Sequence, residues 1–395
     1  MNITYLKRLT LPLVLGSSLT LVACSGDDST TTTTTTPTSS SAATSEAADT
    51  DGPPAGGGGP GGDCTATGAT PAAVPAPASA AQATAADVET AATATNDFLA
   101  TLDDATREST VFEFTDLDAK RCSWSNFPNA GFQGRQGAKL GDLTDEQRTA
   151  ALAAVDAVLS ESGSEMVAGI MTADDFLASE GGQGGFGSTE YYLAVYGTPS
   201  ADEPWTLQFG GHHLAIHASV GGETISTTPF FSGVEPVSFT YEGTDYDPLA
   251  SKAEAIFALF ESLDEEQLAA AETAGAYDDL VMGPGVDTGY PEQEGLPYGD
   301  LTPEQQQGVQ DVVTAWVGDA ETSISQALID SYVAELDQTT ISWSTSTDRT
   351  AAAYLRIDGP RLWIEHLNAE GNDTTEIHYH TIYRDKTVDY GTGAE

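Results

Sequence analysis

Basic side chains are scarce in this chain: 14 Lys and Arg stand against 60 Asp and Glu, a formal charge of −46. A surface of that sign repels phosphate, so nucleic acid is excluded as a partner. Cysteine and methionine are scarcer still, at three and four residues. A soft thiolate or thioether metal site is therefore disfavoured, and imidazole ligation of zinc, copper(II) or iron is the alternative. The sharp motifs are missing as well. There is no His-Glu-x-x-His, no Cys-x-x-Cys, no nucleotide-binding glycine loop and no Asp-x-Asp-x-Asp-Gly calcium loop. The dispersed acids read instead as solubility through self-repulsion.

Long apolar runs are also lacking. The stretch from Leu9 to Ala23, preceded by Lys7 and Arg8, is shorter than the ~20 residues of a membrane span and fits a cleaved export signal. It ends in Leu21-Val22-Ala23-Cys24, which resembles a lipoprotein cleavage box. Residues 1–23 are thus expected to be a lipoprotein signal peptide and Cys24 the lipidated mature N-terminus. The chain would then sit in the cell envelope, held to a membrane by its lipid. Ser25 after the cysteine points to the outer membrane if the cell is Gram-negative. Residues 24–86 are rich in Thr, Ser, Gly, Pro and Ala, cannot bury enough apolar surface to fold, and read as a disordered tether. The remaining cysteines, Cys64 and Cys122, would meet an oxidising compartment. A disulfide between them, worth roughly 4 kcal/mol of loop entropy, is one outcome that spacing leaves open.

Beyond the tether the chain repeats itself. Gly141-Asp142-Leu143-Thr144-Asp145-Glu146-Gln147 is matched by Gly299-Asp300-Leu301-Thr302-Pro303-Glu304-Gln305. In both, Thr precedes an acidic first turn, and Pro303 occupies the first helical position, so each reads as a helix N-terminus. Helical spacing continues over Arg148 to Leu159 and Gln306 to Val317, and each half then turns to short alternating strands rich in aromatic and β-branched residues. The expected fold is α+β: an internally duplicated helical hairpin plus antiparallel strands, pseudo-twofold, on one shared sheet or two packed sheets. Residues 87–246 and 247–395 would be the halves of one integrated domain.

All six histidines fall in two clusters, His212, His213 and His217, and His366, His378 and His380. Imidazole is the commonest metal ligand and titrates nearest neutral pH, so clustering marks a metal or proton-transfer site. His378 and His380, at i and i+2 on a strand, share one face. His213 and His217, read as one strand, lie ~13 Å apart and cannot ligate one ion together. The metal set expected is His213, His378 and His380, with His366 the second choice for third ligand and His212 and His217 as accessories. Aligning Gly211 with Gly359 sets His213 opposite Arg361 and His217 opposite Glu365, which places Arg361 and Glu365 in the same cleft.

Gly211-His212-His213-Leu214, Thr228-Pro229-Phe230-Phe231-Ser232-Gly233, Gly359-Pro360-Arg361-Leu362-Trp363-Ile364-Glu365 and Ile377-His378-Tyr379-His380-Thr381-Ile382-Tyr383-Arg384-Asp385 together resemble the bacterial domain of unknown function family 3500. The resemblance runs from about Ala86 to Gly391. It implies no activity. It does imply that His213, Arg361, Glu365, His378, His380, Arg384 and Asp385 match the family's polar signature, while His217 stands where Asn is expected.

Three functions are consistent with these residues. In the first, a zinc, copper or iron ion on the histidines activates water or oxygen, Glu365 acts as general base, and Arg361 or Arg384 orients a small anionic substrate, with Asp385 as accessory. In the second, the same histidines bind metal without turnover. In the third, the cleft is metal-free and binds a peptide or sugar through its aromatic residues, with the histidines hydrogen bonding.

Overall fold

The computed structural model describes residues 85–391, apart from 183, 223, 288 and 371–376. The signal peptide, the lipidation site Cys24 and Cys64 lie outside the described residues. Cys122 closes the short helix Leu117–Cys122 and is disulfide-bonded; whether its partner is Cys64, as the spacing leaves open, lies outside them too.

Eight strands carry the architecture: β1 (Tyr192–Tyr196), β2 (Trp205–Gly211), β3 (Leu214–Gly221), β4 (Phe230–Val234), β5 (Thr340–Ser344), β6 (Ala353–Asp358), β7 (Leu362–Glu370) and β8 (Ile377–Asp385). They lie in the order β1-β2-β3-β4-β8-β7-β6-β5, each antiparallel to its neighbours, and short segments at the edges and beside β3 bring the sheet to 12 strands among the described residues. The sheet is mixed, because the edge strand Val111–Phe112 runs parallel to β1. A separate two-stranded hairpin spans Phe239–Tyr241 and Thr244–Tyr246.

Period-two alternation gives the sheet two different faces. Leu214, Ile216, Ala218 and Val220 of β3, Tyr379 and Tyr383 of β8, and Leu362 and Ile364 of β7 join the main core. That core is completed by α1 (Ala85–Thr101), α2 (Asp145–Asp156), α3 (Glu161–Ser179), α4 (Ala250–Glu261), α5 (Pro303–Val317) and α6 (Thr322–Val333). The intervening residues, Ala215, Phe231, Trp363, Leu367 and Ile382, form a second, smaller core with Trp124, Leu280, Val281, Met282 and Tyr390. Helices thus cover one face, and irregular chain, chiefly the segments around Trp124 and residues 280–282, covers the other.

The helix starts obey the capping chemistry read from the sequence. Thr144 and Thr302 each close a capping box, their side chains accepting from the N–H of Gln147 and Gln305 while those glutamines accept from the Thr N–H. The Thr302→Ala protein should lose about 1 kcal/mol, read as a lower urea midpoint. An unchanged midpoint would mean that the cap adds nothing to α5.

Candidate metal centre

His378 and His380 leave β8 on the face opposite the helices, as alternation requires, in register with Ala369 and Leu367 of β7. His213 reaches them differently from the straight strand expected of it. β3 begins only at Leu214, and His213 is a turn residue between β2 and β3 with φ of 58°, a left-handed conformation uncommon for a side chain with a Cβ. Its carbonyl accepts from Gly233 N–H at 2.7 Å. A Cβ on Gly233 would stand 2.7 Å from the Tyr379 carbonyl and 3.1 Å from the His213 ring, so glycine lets the imidazole lie across β4.

Three imidazoles meet there. His380 Nε2 is 3.1 Å from His378 Nε2 and 3.2 Å from His213 Nε2. The three ligand atoms all lie within 4.8 Å of one another, and all three residues are buried. This group could hold a metal ion. Burial first, then the neighbouring imidazoles, push the His213 pKa well below its usual value, and burial with His380 and His212 brings His378 down to about 3. Both rings are therefore neutral at pH 7 and carry a free lone pair.

Carboxylates hold the outer edges of the cluster. Asp279 accepts from or shares a proton with His380 Nδ1 at 2.8 Å, and its second oxygen takes Asn126 Nδ2 at 2.9 Å. Burial alone would raise the Asp279 pKa, but His380 and the Leu280 and Asn126 donors outweigh it and hold the carboxyl below its usual range. An ionised Asp279 fixes the proton of His380 on Nδ1 and turns the Nε2 lone pair inward. On the far side His212 Nδ1 meets Asp174 of α3 at 2.7 Å, and the His212 ring stacks on His213 with centroids 3.7 Å apart.

The remaining expected residues are spent elsewhere. Arg361 is not in the histidine cleft: it turns to the helical side, where it binds Glu335 at 2.9 Å and Ser331 at 3.0 Å and stands 3.6 Å from Asp385. Asp385 accepts from Tyr332 of α6 at 2.8 Å and also belongs to that cluster. Glu365 shares the histidine face but lies one side-chain step further along the sheet, in register with Ile382. Its carboxylate accepts from the N–H groups of Val281 (2.5 Å) and Met282 (2.8 Å) and from the Trp363 indole, so both of its oxygens are engaged by the loop and the indole rather than by the imidazoles. Arg384, fully buried, binds Asp389 at 2.8 Å, Asp287 at 2.5 Å and the carbonyls of Met282 and Val286. Glu365 and Arg384 thus pin the loop that delivers Asp279 to His380.

His366 does not join either. It pairs with Thr381 across β7 and β8, packs on Phe257 and Tyr379 on the helical face, and contacts Asn368 at 3.1 Å. The hairpin expected to carry it toward His378 falls partly at 371–376, outside the described residues. His217 shares the face of His380 but is held by the Pro229 carbonyl at 2.8 Å, between Trp124 and Tyr390. Burial lowers its pKa to about 3 and that of His366 to about 4, so each is a neutral core side chain. Asp279, Asn126 and Asp174 were not singled out by sequence. Asp279 is one acid among 60, and only the path of a long loop brings it to the site.

Fold and site together define a mixed helix-and-sheet domain with a buried three-histidine cluster on its non-helical face. The chain belongs to the family described as "Protein of unknown function (DUF3500)", whose match spans residues 84–392. No curated protein and no solved structure matches the chain.

Proposed function

We propose that this protein binds a divalent transition metal, zinc, copper(II) or iron, through Nε2 of His213, His378 and His380, as an exported lipoprotein anchored in the cell envelope through Cys24. The observation that carries the reading is the contact of three Nε2 atoms at 3.1 and 3.2 Å. Nitrogens bound to a tetrahedral zinc at ~2.0–2.1 Å stand roughly 3.3 Å apart. With Asp279 fixing the His380 proton on Nδ1, two neighbouring rings press on one lone pair. A cation satisfies all three lone pairs at once, which imidazole–imidazole hydrogen bonding does not.

Three protein ligands leave a coordination position for water or a bound group. Arg361, Glu365 and Arg384 are occupied by structural partners. Metal holding is therefore better supported than turnover of a small anionic substrate. Chemistry on a metal-bound water is the second reading, favoured by the three-ligand set alone.

The body also reads as an internal duplication with pseudo-twofold symmetry. Supporting it, β1 to β4 run inward from one edge and β5 to β8 from the other, meeting at the β4–β8 pair. The two capped helices α2 and α5 come after equivalent turns.

The Asp279→Asn protein tests the carboxylate support. Its zinc affinity, measured by competition with a chromophoric chelator, should fall about 10–100-fold, the usual cost of losing an outer partner of a metal-bound histidine. An unchanged affinity would remove Asp279 from the site.

A further inference from the structure

Away from the histidines, Arg356 of β6 is buried with most of its hydrogen-bonding capacity unspent. It has no exposed surface, and its Nε and Nη1 have no hydrogen-bond partner among the described residues. Nη2 alone is engaged, by Glu294 at 3.4 Å, a long contact to a carboxylate whose side chain is 47% exposed. The neighbours share this condition. Ser342 stands across from Arg356 on β5, and Tyr354 and Asp358 flank it two residues away on β6, so all four share one face of the sheet. Ser342 Oγ and Asp358 Oδ2 are buried without hydrogen-bond partners among the described residues too, and Tyr354 Oη has none there beyond its interaction with Arg356 itself. Asp358 Oδ2 stops 4.0 Å from Arg356 Nε, while its other oxygen takes Lys386 at 2.5 Å.

Folded proteins tolerate few such atoms, because each gives up water without replacement. The surplus here is of donors. Among these unpartnered atoms two guanidinium nitrogens can only donate, two hydroxyls can donate or accept, and one carboxylate oxygen accepts. A group that chiefly accepts hydrogen bonds would satisfy them.

We propose that Arg356, Tyr354 and Ser342 form a second ligand site, separate from the histidines, for a small monoanion of the carboxylate or halide class. The anion docks end-on across Nη1 and Nη2, replacing the long Glu294 contact, and accepts from the two hydroxyls. Charge allows this. Of the carboxylates near the guanidinium, Asp358 is paired with Lys386 and Glu365 accepts from backbone N–H groups, so Glu294 is the one an incoming anion would replace like for like. The half-buried Tyr277 ring covers Tyr354 with centroids 4.2 Å apart, and the Glu294 side chain is 47% exposed.

The test uses bromide and formate on the folded, full-length chain. Crystals grown in sodium bromide should show an anomalous peak within about 3.5 Å of Arg356 Nη1. Formate should bind in calorimetry, and about tenfold more weakly to a Ser342→Ala/Tyr354→Phe protein, which keeps the arginine and loses both hydroxyls. Bromide peaks confined to exposed side chains, with only water at Arg356, would overturn the proposal. So would formate binding that the double substitution leaves unchanged. The bromide crystals decide the matter even if the variant does not fold.

Discussion

The His378→Ala/His380→Ala protein, purified without a polyhistidine tag beside the parent, is expected to lose its metal. The parent should carry about one equivalent of zinc, copper or iron, and the variant less than about a tenth. The size of the effect reflects the ligand count. His380 is the vertex of the cluster, 3.1 Å from His378 and 3.2 Å from His213, and it connects the site to Asp279 at 2.8 Å. Removing it with His378 leaves one imidazole, which does not retain a divalent ion through purification. The variant should still fold, because the Leu367 and Ile382 packing beneath the histidines is untouched. Excess metal should then raise the melting temperature of the parent alone, by the equivalent of about 2.7 kcal/mol at a hundredfold excess over Kd. Equal metal content in the two proteins would place the ion elsewhere.

Replacing Arg384 by methionine should destabilise the fold by about 3–5 kcal/mol, a larger loss than any cap or surface change. Methionine preserves much of the side-chain volume but takes the buried Arg384 cation away from Asp389 and leaves Asp287 only its longer contact with Arg121, at 3.8 Å. Burial already pushes the Asp389 carboxyl up to about 6 even with Arg384 beside it. The carbonyls of Met282 and Val286 lose their donor as well, which frees the loop holding Asp279. Urea denaturation monitored by tryptophan fluorescence reads the loss. A shift below about 1 kcal/mol would mean that the loop is held by its apolar contacts, with Leu280, Val281 and Met282 as anchors.

How much of the fold and site was legible in the sequence depends on the range of the interaction. His378-x-His380 on one face of a strand is dictated by period two, and the capped helices α2 and α5 by a four-residue pattern. Both are local. His213 was legible as a residue near the site but not as a turn residue, since its conformation is set by the Gly233 contact across β4. Arg361 shows the opposite failure. Alignment of the two glycine turns put it in the cleft, yet Glu335 and Asp385 draw its guanidinium to the helical side. Glu365 was placed on the correct face, but its role is decided by backbone N–H groups 83 and 84 residues away, which no pattern announces. Asp279 was hidden for the same reason. A long irregular loop has no period, so the acid in it that meets His380 looks like every other.

X-ray absorption at the metal edge of the untagged, full-length protein tests the central claim most directly. A three-histidine site predicts a first shell dominated by nitrogen at ~2.0–2.1 Å, with the outer-ring scattering of three imidazoles and no sulfur. That signature should vanish in the His378→Ala/His380→Ala protein. A metal-free parent that takes up no zinc, copper or iron on addition, or a shell of carboxylate oxygen unaltered by the double substitution, would contradict it.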